Sequence, residues 1–447
     1  MGATSRRRIR IASLAASGAA LILALPAGAG HETPPLAFGS PIDLSGSLND
    51  QAEDPGRLAV GDLNGDGRAD LIVGSAEGPA TEVMLNRGHM HFGLGRVYPL
   101  GGRPEQILVR DVNGDGARDL VVATLANTAS VLLNRADGSG TFQPEVDYPL
   151  GPSHELDAVG VALADVNGDG KPDLASANSR DPNVSVLFNS GDGGFGEPVA
   201  YPTSAPAYDV ALGDLNFDDK PDIVAPDGPD HFAVMLNRGH GGFFPRHDYR
   251  TGKYPYKVIV ADFDGDGRND VATSSADCCT SVFLNSGDGV PGRRRNFRGS
   301  TTVAADMNGD GRLDLVGGTS VLLNRAGGEY DRFAGLVYAP GAVVSAIGRL
   351  NGDRRPDLAV ITLDERNGSY GFWGLVNSPR LCSVQPLNGR TLTSAANVLR
   401  FANCRLGHVS RAYSRTKRGL VAAQRPGFGA VLNRGAAVDV VVSLGPR

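Results

Sequence analysis

The stretch GDLNGDGRADL, residues 61–71, places four acidic or amide side chains within nine residues and then runs into an apolar segment. Six stretches of the same kind follow it: RDVNGDGARDL, ADVNGDGKPDL, GDLNFDDKPDI, ADFDGDGRNDV, ADMNGDGRLDL and GRLNGDRRPDL. The seven nine-residue loops begin, at intervals of 49, 54, 49, 48, 44 and 43 residues, at Asp62, Asp111, Asp165, Asp214, Asp262, Asp306 and Arg349. Intervals of this length predict a repeat architecture.

Each repeat unit is predicted to contain four short strands. An apolar strand such as RLAVGD enters the loop, a second begins at the last aspartate, a third reads EVMLN or similar, and a Gly-rich turn leads to a fourth. This pattern is typical of a propeller blade, so seven loops predict seven blades. The seventh unit ends at GFWGLVN without a fourth strand, and AFGSPIDL at residues 37–44 matches the missing one. We therefore expect the N-terminal strand to close the last blade.

The units resemble FG-GAP/VCBS-type repeats, a family that includes the calcium-bearing propeller of integrin α chains, over residues 36–377. The resemblance implies an all-β, seven-bladed β-propeller across residues 30–379. It leaves the ligand open, because this family hosts adhesins, lectins and enzymes.

The loops follow the pattern D-x-N-x-D-G-x-x-D, which supplies oxygen ligands at positions 1, 3, 5 and 9 and a backbone carbonyl at position 7. Such hard donors in a flexible loop suit Ca²⁺ better than Mg²⁺. The alternative is a set of Asp/Gly-rich turns that hold no metal. The predicted side-chain ligands of the first six loops are Asp62, Asn64, Asp66 and Asp70; Asp111, Asn113, Asp115 and Asp119; Asp165, Asn167, Asp169 and Asp173; Asp214, Asn216, Asp218 and Asp222; Asp262, Asp264, Asp266 and Asp270; and Asp306, Asn308, Asp310 and Asp314.

Two loops depart from the pattern. The fourth has Asp219 at position 6, where aspartate tolerates a left-handed turn, so it is still expected to bind. The seventh has Arg349 at position 1 and Arg354 at position 6. We expect this loop to be empty, with a guanidinium as a candidate to take the place of the cation. About six structural Ca²⁺ sites are therefore expected.

The composition changes after residue 379. Residues 380–447 contain 11 Lys and Arg against Asp439 alone, a net charge of +10, whereas residues 30–379 carry −20. The tail resembles a PASTA domain in Pro386-Leu387, Gly389, GLVAAQRPGFGAVLNRG and the closing VDVVVSLG. The resemblance implies a small α+β domain that contacts peptidoglycan, and the charge predicts attraction to anionic wall polymers. Alternatively, these cations dock on the acidic propeller.

The N-terminus predicts export. Residues 1–29 read as a secretory signal peptide, with basic residues, a largely apolar run over residues 11–25 and an Ala27-Gly28-Ala29 cleavage site. An uncleaved anchor is the alternative, and no later segment is long and apolar enough to span a membrane. Export favours disulfides over metal thiolates. The predicted pairing is Cys382 with Cys404, which leaves Cys278 and Cys279 as a vicinal disulfide or a pair of thiols.

Nothing in the sequence indicates catalysis: a nucleophile elbow, a zinc signature and a phosphate loop are all missing. The prediction is a secreted, bacterial, cell-wall-associated binding or adhesion protein that is not an enzyme. Its propeller is expected to bind a glycan or a protein on the face opposite the calcium loops, and no nucleic acid. The alternatives are an extracellular enzyme acting on polysaccharide or phosphoester, and a purely structural envelope protein.

Tyrosines recur where the fourth strands end, and two roles are open for them. They could stack on a sugar or grip a protein ligand, or they could pack between blades. The five are Tyr98, Tyr148, Tyr201, Tyr249 and Tyr338.

Overall fold

A computed structural model describes residues 38, 42–44, 55–151, 158–277, 279–317, 320–325, 327–333, 342–353, 355–364, 369–378, 381–384, 387–401, 404–427 and 430–446. The signal peptide, Cys278, Tyr338 and Arg354 lie outside these residues, so what the sequence predicts for them stays a prediction. Within the described residues, no helix is long and apolar enough to cross a membrane.

The described chain is built largely of four-stranded antiparallel sheets, numbered here 1 to 7 in chain order. Sheets 1 to 3 comprise β2 (Pro55–Gly61), β3 (Asp70–Ser75), β4 (Ala80–Met84) and β5 (Arg96–Pro99); β6 (Pro104–Arg110), β7 (Asp119–Thr124), β8 (Thr128–Leu132) and β9 (Val146–Pro149); and β10 (Ala158–Ala164), β11 (Asp173–Asn178), β12 (Asn183–Leu187) and β13 (Val199–Pro202). Sheet 4 comprises β14 (Ala211–Gly213), β15 (Asp222–Pro226), β16 (His231–Met235) and β19 (His247–Arg250), with a small hairpin of β17 (Asn237–Gly239) and β18 (Gly242–Phe243).

Sheets 5 to 7 continue the same order. They comprise β20 (Pro255–Ala261), β21 (Asp270–Ser275), β22 (Cys279–Asn285) and β23 (Pro291–Arg298); β24 (Val303–Ala305), β25 (Asp314–Gly317), β26 (Ser320–Asn324) and β27 (Tyr330–Phe333); and β28 (Ala342–Gly348), β29 (Asp357–Asp364), β30 (Ser369–Leu375) and β1 (Ile42–Asp43). In every sheet the acidic loop joins the first two strands.

The N-terminal strand pairs with the last sheet, as the sequence predicts. Ile42 lies opposite Gly374 and Asp43 opposite Trp373 on β30. An isolated bridge between Phe38 and Asn377 extends this pairing. The outer strand of sheet 7 is thus β1, which lies more than 300 residues before β30 in the chain.

The second strand of each sheet packs against neighbours on both of its faces. All six residues of β3, β7, β11 and β21 are buried, and these strands are mostly continuous runs of apolar or small residues. One apolar cluster joins Ile72 of sheet 1 to Ile107 and Val122 of sheet 2. Another joins Val60 of sheet 1 to Ala359 of sheet 7. The core is therefore divided among the interfaces between sheets.

The tail forms a small α+β unit. Helix α1 (Leu392–Phe401) lies beside a mixed sheet in the order β32 (Arg405–Ala412), β35 (Ala437–Ser443) and β33 (Val421–Arg425), and β31 (Leu381–Ser383) pairs with β34 (Val431–Asn433). The predicted disulfide between Cys382 and Cys404 is present. Cys279 is also disulfide-bonded. Apolar tail residues such as Leu387 and Leu399 share one cluster with Met307 and Leu375 of sheets 6 and 7.

Candidate metal centres

In each acidic loop the backbone wraps around the carboxylate at position 1. In the first loop Asp62 Oδ1 accepts hydrogen bonds from the backbone N–H groups of Gly65 at 2.8 Å and Asp66 at 3.1 Å, and Oδ2 accepts one from Gly67 at 2.8 Å. The same three bonds recur on Asp165, Asp262 and Asp306. The loop is thus held in its turn by the side chain that the sequence assigns to the metal.

The turn requires a left-handed backbone at positions 4 and 6. Gly65 and Gly67 have φ angles of 76° and 84°, as glycine readily allows. In the fourth loop Phe217 and Asp219 have φ angles of 63° and 65° at the same positions. The expected left-handed Asp219 is confirmed. Phe217, which is 71% exposed, was not foreseen as a second strained residue.

The aspartate at position 9 is fully buried and binds backbone on both oxygens. Asp70 Oδ2 accepts the N–H of Leu63 and Oδ1 accepts the N–H of Asn86, each at 2.8 Å. The equivalent residue makes the same pair of bonds in all seven sheets, including Asp357 in the loop that begins with arginine. This residue therefore joins the loop to the end of the third strand as well as facing the metal position.

Burial raises the pKa of these position-9 carboxyl groups more than their hydrogen bonds lower it. The pKa is about 6 for Asp70, Asp119 and Asp173. It is about 7 for three others, Asp222, Asp270 and Asp357. Burial also takes the pKa of Asp314 well above its ordinary value. Burial therefore favours the protonated, neutral form of these carboxyl groups, and a bound cation would favour the charged form.

An asparagine that ends the third strand connects each sheet to the one before it. Asn134 Nδ2 donates to the carbonyl of Leu63 in sheet 1, and Asn86 Nδ2 donates to Leu350 in sheet 7 at 2.9 Å. The other members of the series are Asn189 to Val112, Asn237 to Val166, Asn285 to Leu215, Asn324 to Phe263 and Asn377 to Met307. The series of seven bonds returns to the sheet where it starts. Sequence analysis registered this asparagine only as the last letter of EVMLN and gave it no role.

The donors of the fifth acidic loop fit a calcium ion. In the fifth loop, carboxylate oxygens of Asp262, Asp264 and Asp270 all lie within 4.8 Å of one another. The sequence assigns Asp266 and the backbone carbonyl of Arg268 to the same site, which would make an all-oxygen set of the kind Ca²⁺ prefers. Burial, and then the charge of Asp266, raise the pKa of Asp264.

The other five acidic loops carry asparagine instead of aspartate at position 3. In the first of them Asn64 Nδ2 donates to Asp66 Oδ2 at 3.3 Å, and equivalent bonds join Asn113 to Asp115 and Asn308 to Asp310. The amide oxygen of such an asparagine is a neutral calcium ligand, so these loops offer one negative charge fewer than the fifth.

The seventh loop keeps the turn without the acidic first position. Asp353 accepts the backbone N–H of Arg355 at 2.8 Å, as Asp66 accepts that of Arg68 in the first loop. Burial lowers the pKa of Arg355, and one of its nitrogens has no hydrogen-bond partner. Arg349 Nε is likewise buried without a hydrogen-bond partner. Arg349 therefore brings a guanidinium to position 1, where the other six loops carry a carboxylate, whereas Arg355 stands at position 7, where the first loop also has an arginine, Arg68.

A different polar group lies at the opposite end of sheet 4, in the turn between β15 and β16. Asp227 is fully buried, and its Oδ2 accepts hydrogen bonds from the N–H and the hydroxyl of Ser204, at 2.8 and 2.7 Å. Its Oδ1 has no hydrogen-bond partner. Arg246 Nε lies 3.9 Å from Oδ2, and burial raises the pKa of this carboxyl group.

The recurring tyrosines pack between sheets where they are described. Three of them pack edge-to-face against a phenylalanine of the next sheet. The ring centroids are 5.4 Å apart for Tyr98 and Phe142, 5.6 Å for Tyr148 and Phe195, and 4.9 Å for Tyr201 and Phe243. Tyr249 instead stacks on Phe232 of its own sheet. The packing role is the one these contacts support.

Comparison with known proteins agrees with this repeat. The family model for the FG-GAP-like repeat matches residues 111–176 and 165–225, and that for the FG-GAP repeat matches residues 55–98. The chain contains FG-GAP repeats. These repeats are generally calcium-binding and typically extracellular, and they are consistent with a repeat β-propeller.

No curated protein is significantly similar to this chain in sequence. Among solved structures, BBS1N in complex with ARL6DN is 13% identical, with a TM-score of 0.51 over 77% of this chain and 98% of that one. A second structure of that complex is 12% identical, with a TM-score of 0.50 and the same coverage of both chains. An Agrocybe aegerita lectin that recognises non-reducing terminal N-acetylglucosamine is 20% identical, with a TM-score of 0.47 over 64% and 82%. At these identities the likeness concerns the fold alone.

Proposed function

We propose that this FG-GAP repeat protein is an exported, calcium-stabilised binding protein without catalytic activity. Residues 30–379 form a closed seven-bladed β-propeller, and residues 380–447 form a PASTA-like domain that attaches it to anionic polymers of a bacterial cell wall. The observation that carries the proposal is the pairing of acidic metal loops in the sheets with a tail whose exposed charges are almost all positive.

Separate observations support the closure of the propeller and the binding of metal. Seven sheets occur in chain order, and the asparagine bonds lead from each sheet to its predecessor and from sheet 1 to sheet 7. The first six loops each present four side-chain oxygen ligands. Bound calcium offsets the repulsion of these carboxylates and links the first two strands of its blade.

The charge of the tail is available to an outside partner. Seven cations are exposed: Arg405, Arg411, Arg415, Lys417, Arg418, Arg425 and Arg434. Among the described residues, no salt bridge joins any of them to the acidic sheets. The tail instead meets sheets 6 and 7 through apolar side chains. Docking within the molecule therefore leaves the positive field free to attract carboxylates and phosphates of a wall polymer.

For the propeller, we propose that a glycan or protein ligand binds on the face opposite the calcium loops. The support there is the polar turn at that end of sheet 4, where hydrogen bonds join Ser204 to the buried Asp227.

Co-sedimentation with purified bacterial cell walls tests attachment, using the full exported chain. We expect the protein in the pellet at physiological salt and its release as salt rises. Replacing Arg411, Arg415, Lys417 and Arg418 by Gln should leave the protein in the supernatant. A control with the same loss of charge replaces Arg103, Arg135, Arg293 and Arg298, all exposed on the sheets, and should still sediment.

Equal sedimentation of the two variants would refute attachment through the tail. The same incubation distinguishes binding from catalysis, because an enzyme would release soluble saccharide or phosphate from the walls. A time-dependent release of either product would favour the enzyme alternative.

A further inference from the structure

A cleft of about 400 Å³ opens between sheets 1 and 2 beside the first acidic loop. It is bounded by that loop, by the turn between β4 and β5, and by the corresponding turn of sheet 2. It therefore lies at the calcium-loop end of the sheets, away from the face to which the proposed function assigns a ligand.

Three arginines line the cleft: Arg68, Arg87 and Arg96. Arg68 is paired with Asp66 at 3.1 Å. In the part of the chain that the structure describes, neither Arg87 nor Arg96 forms a salt bridge, and Arg96 lies over the ring of Tyr98 at 5.5 Å. Asp66 is the only acidic residue in the lining, so the cleft carries a positive charge that the protein does not neutralise.

The rest of the lining alternates apolar and hydrogen-bonding groups. Val83, Leu85 and Leu94 provide apolar surface, and Leu94 is 73% exposed. Ser139 and Thr141 provide two hydroxyl groups. A sugar ring has the complementary character, with apolar C–H faces and hydroxyl edges, and the volume is in the range of small-ligand sites.

Arg96 is not shared by the two sheets that follow. The position of Arg96, two residues before the recurring tyrosine, is Val146 in sheet 2 and Val199 in sheet 3. Both valines are exposed on the fourth strand, so the fold does not need a cation at this position. Gly93 lies close to the side chain of Arg87: a Cβ atom at position 93 would come within 3.1 Å of the Arg87 guanidinium.

We propose that this cleft binds an acidic saccharide, with Arg87 and Arg96 holding the carboxylate. A planar guanidinium can hold a carboxylate through two parallel hydrogen bonds. The apolar wall takes the face of the sugar ring, and Ser139 and Thr141 bind its hydroxyl groups.

Calorimetric titration of the full exported chain tests the site, with calcium present throughout. The probes are digalacturonic acid, the neutral disaccharide cellobiose and inorganic sulfate. We expect digalacturonic acid to bind at least tenfold more tightly than either of the others, because it alone satisfies both the charge and the ring surface.

Two variants and one matched control locate the binding. Arg96→Val reproduces the residue of sheets 2 and 3, and Arg87→Gln removes the second free cation; each should weaken binding of digalacturonic acid roughly 10- to 100-fold. The control is Arg135→Gln. Arg135 occupies in sheet 2 the Leu-Asn-Arg position that Arg87 occupies in sheet 1, but it does not line the cleft, so its replacement should not change the affinity for digalacturonic acid.

Three results would overturn the proposal. Cellobiose binding as tightly as the acidic disaccharide would remove the role of charge, and sulfate binding as tightly would remove the sugar. Equal binding by Arg96→Val and Arg135→Gln would place the site elsewhere. Because sedimentation with walls depends on the tail, loss of either activity leaves the other measurable.

Discussion

The seventh loop and the six acidic loops share one backbone design and differ in the charge that it encloses. In both kinds the position-9 aspartate binds two backbone N–H groups, and an asparagine reaches the preceding sheet. Only the seventh begins with arginine, and it still joins a complete four-stranded sheet. Position 9 therefore joins the loop to its sheet whether or not the first residue is acidic, and only the six acidic loops add oxygen ligands for a cation at positions 1, 3 and 5.

Removing calcium should have the largest effect, because it acts on six loops together. A site whose free calcium is a hundredfold above its Kd contributes about 2.7 kcal/mol to stability. We expect a chelator to lower the midpoint of thermal unfolding markedly, and added calcium to restore it. Differential scanning calorimetry measures the shift. A midpoint that does not move would mean that the loops are metal-free turns.

The pH dependence of stability should change sign with calcium. Without calcium, the position-9 carboxyl groups have folded pKa values of about 6 to 7 against an ordinary value of 3.8. The folded protein then binds more protons than the unfolded chain between these values, so stability falls as pH rises through about pH 4 to 7. With saturating calcium, protons compete with the metal, and stability should fall as pH decreases.

Urea unfolding at several pH values, with chelator and with calcium, measures this dependence. Parallel curves in the two conditions would contradict it, because they would mean that the buried carboxyl groups do not face the metal.

A matched pair of substitutions tests the shared role of position 9. Asp119→Ala in sheet 2 and Asp357→Ala in sheet 7 each leave two buried backbone N–H groups without an acceptor. At 1–3 kcal/mol for each group, we expect both to lose about 2–6 kcal/mol in the free energy of urea unfolding, measured in chelator.

Asp115→Ala, at position 5 of the second loop, is the control and should change stability in chelator by only about 0.5 kcal/mol. If Asp357→Ala proved as mild as this control, position 9 would have no structural role apart from the metal.

Converting the seventh loop should have the smallest effect. Arg349→Asp combined with Arg354→Gly restores the acidic pattern, and one added site contributes at most about 2.7 kcal/mol at a hundredfold excess of calcium. We expect one more bound calcium per chain by equilibrium dialysis, and extra stability only when calcium is present. Arg355→Gln, which leaves positions 1 and 6 unchanged, should not add a site. An unchanged count in the double variant would show that the seventh loop is closed to metal for another reason.

The sequence predicted what depends on residues close together in the chain. The nine-residue pattern sets its own turn, since the side chain at position 1 binds backbone groups three to five residues later. The repeat and its missing last strand predicted that β1 would pair with β30. The two tail cysteines, 22 residues apart, form the disulfide that the sequence predicts.

Contacts between distant segments could not be predicted in this way. Asn86 reaches a carbonyl 264 positions away, and nothing near it in the sequence names that partner. Asp227 is buried beside Ser204, which lies 23 residues earlier in the chain, and the local sequence does not name this partner. The arginine cleft exists because turns of sheets 1 and 2 lie side by side.

The sequence by itself determined the repeating strand order, the acidic loops and the positive tail, because periodic apolar residues and local side-chain-to-backbone hydrogen bonds act within a few residues. The tertiary structure alone decided which sheets the asparagines join, where apolar tail residues meet sheets 6 and 7, and which charges remain unpaired. Each of these depends on which surfaces the closing sheets bring together and seal from water.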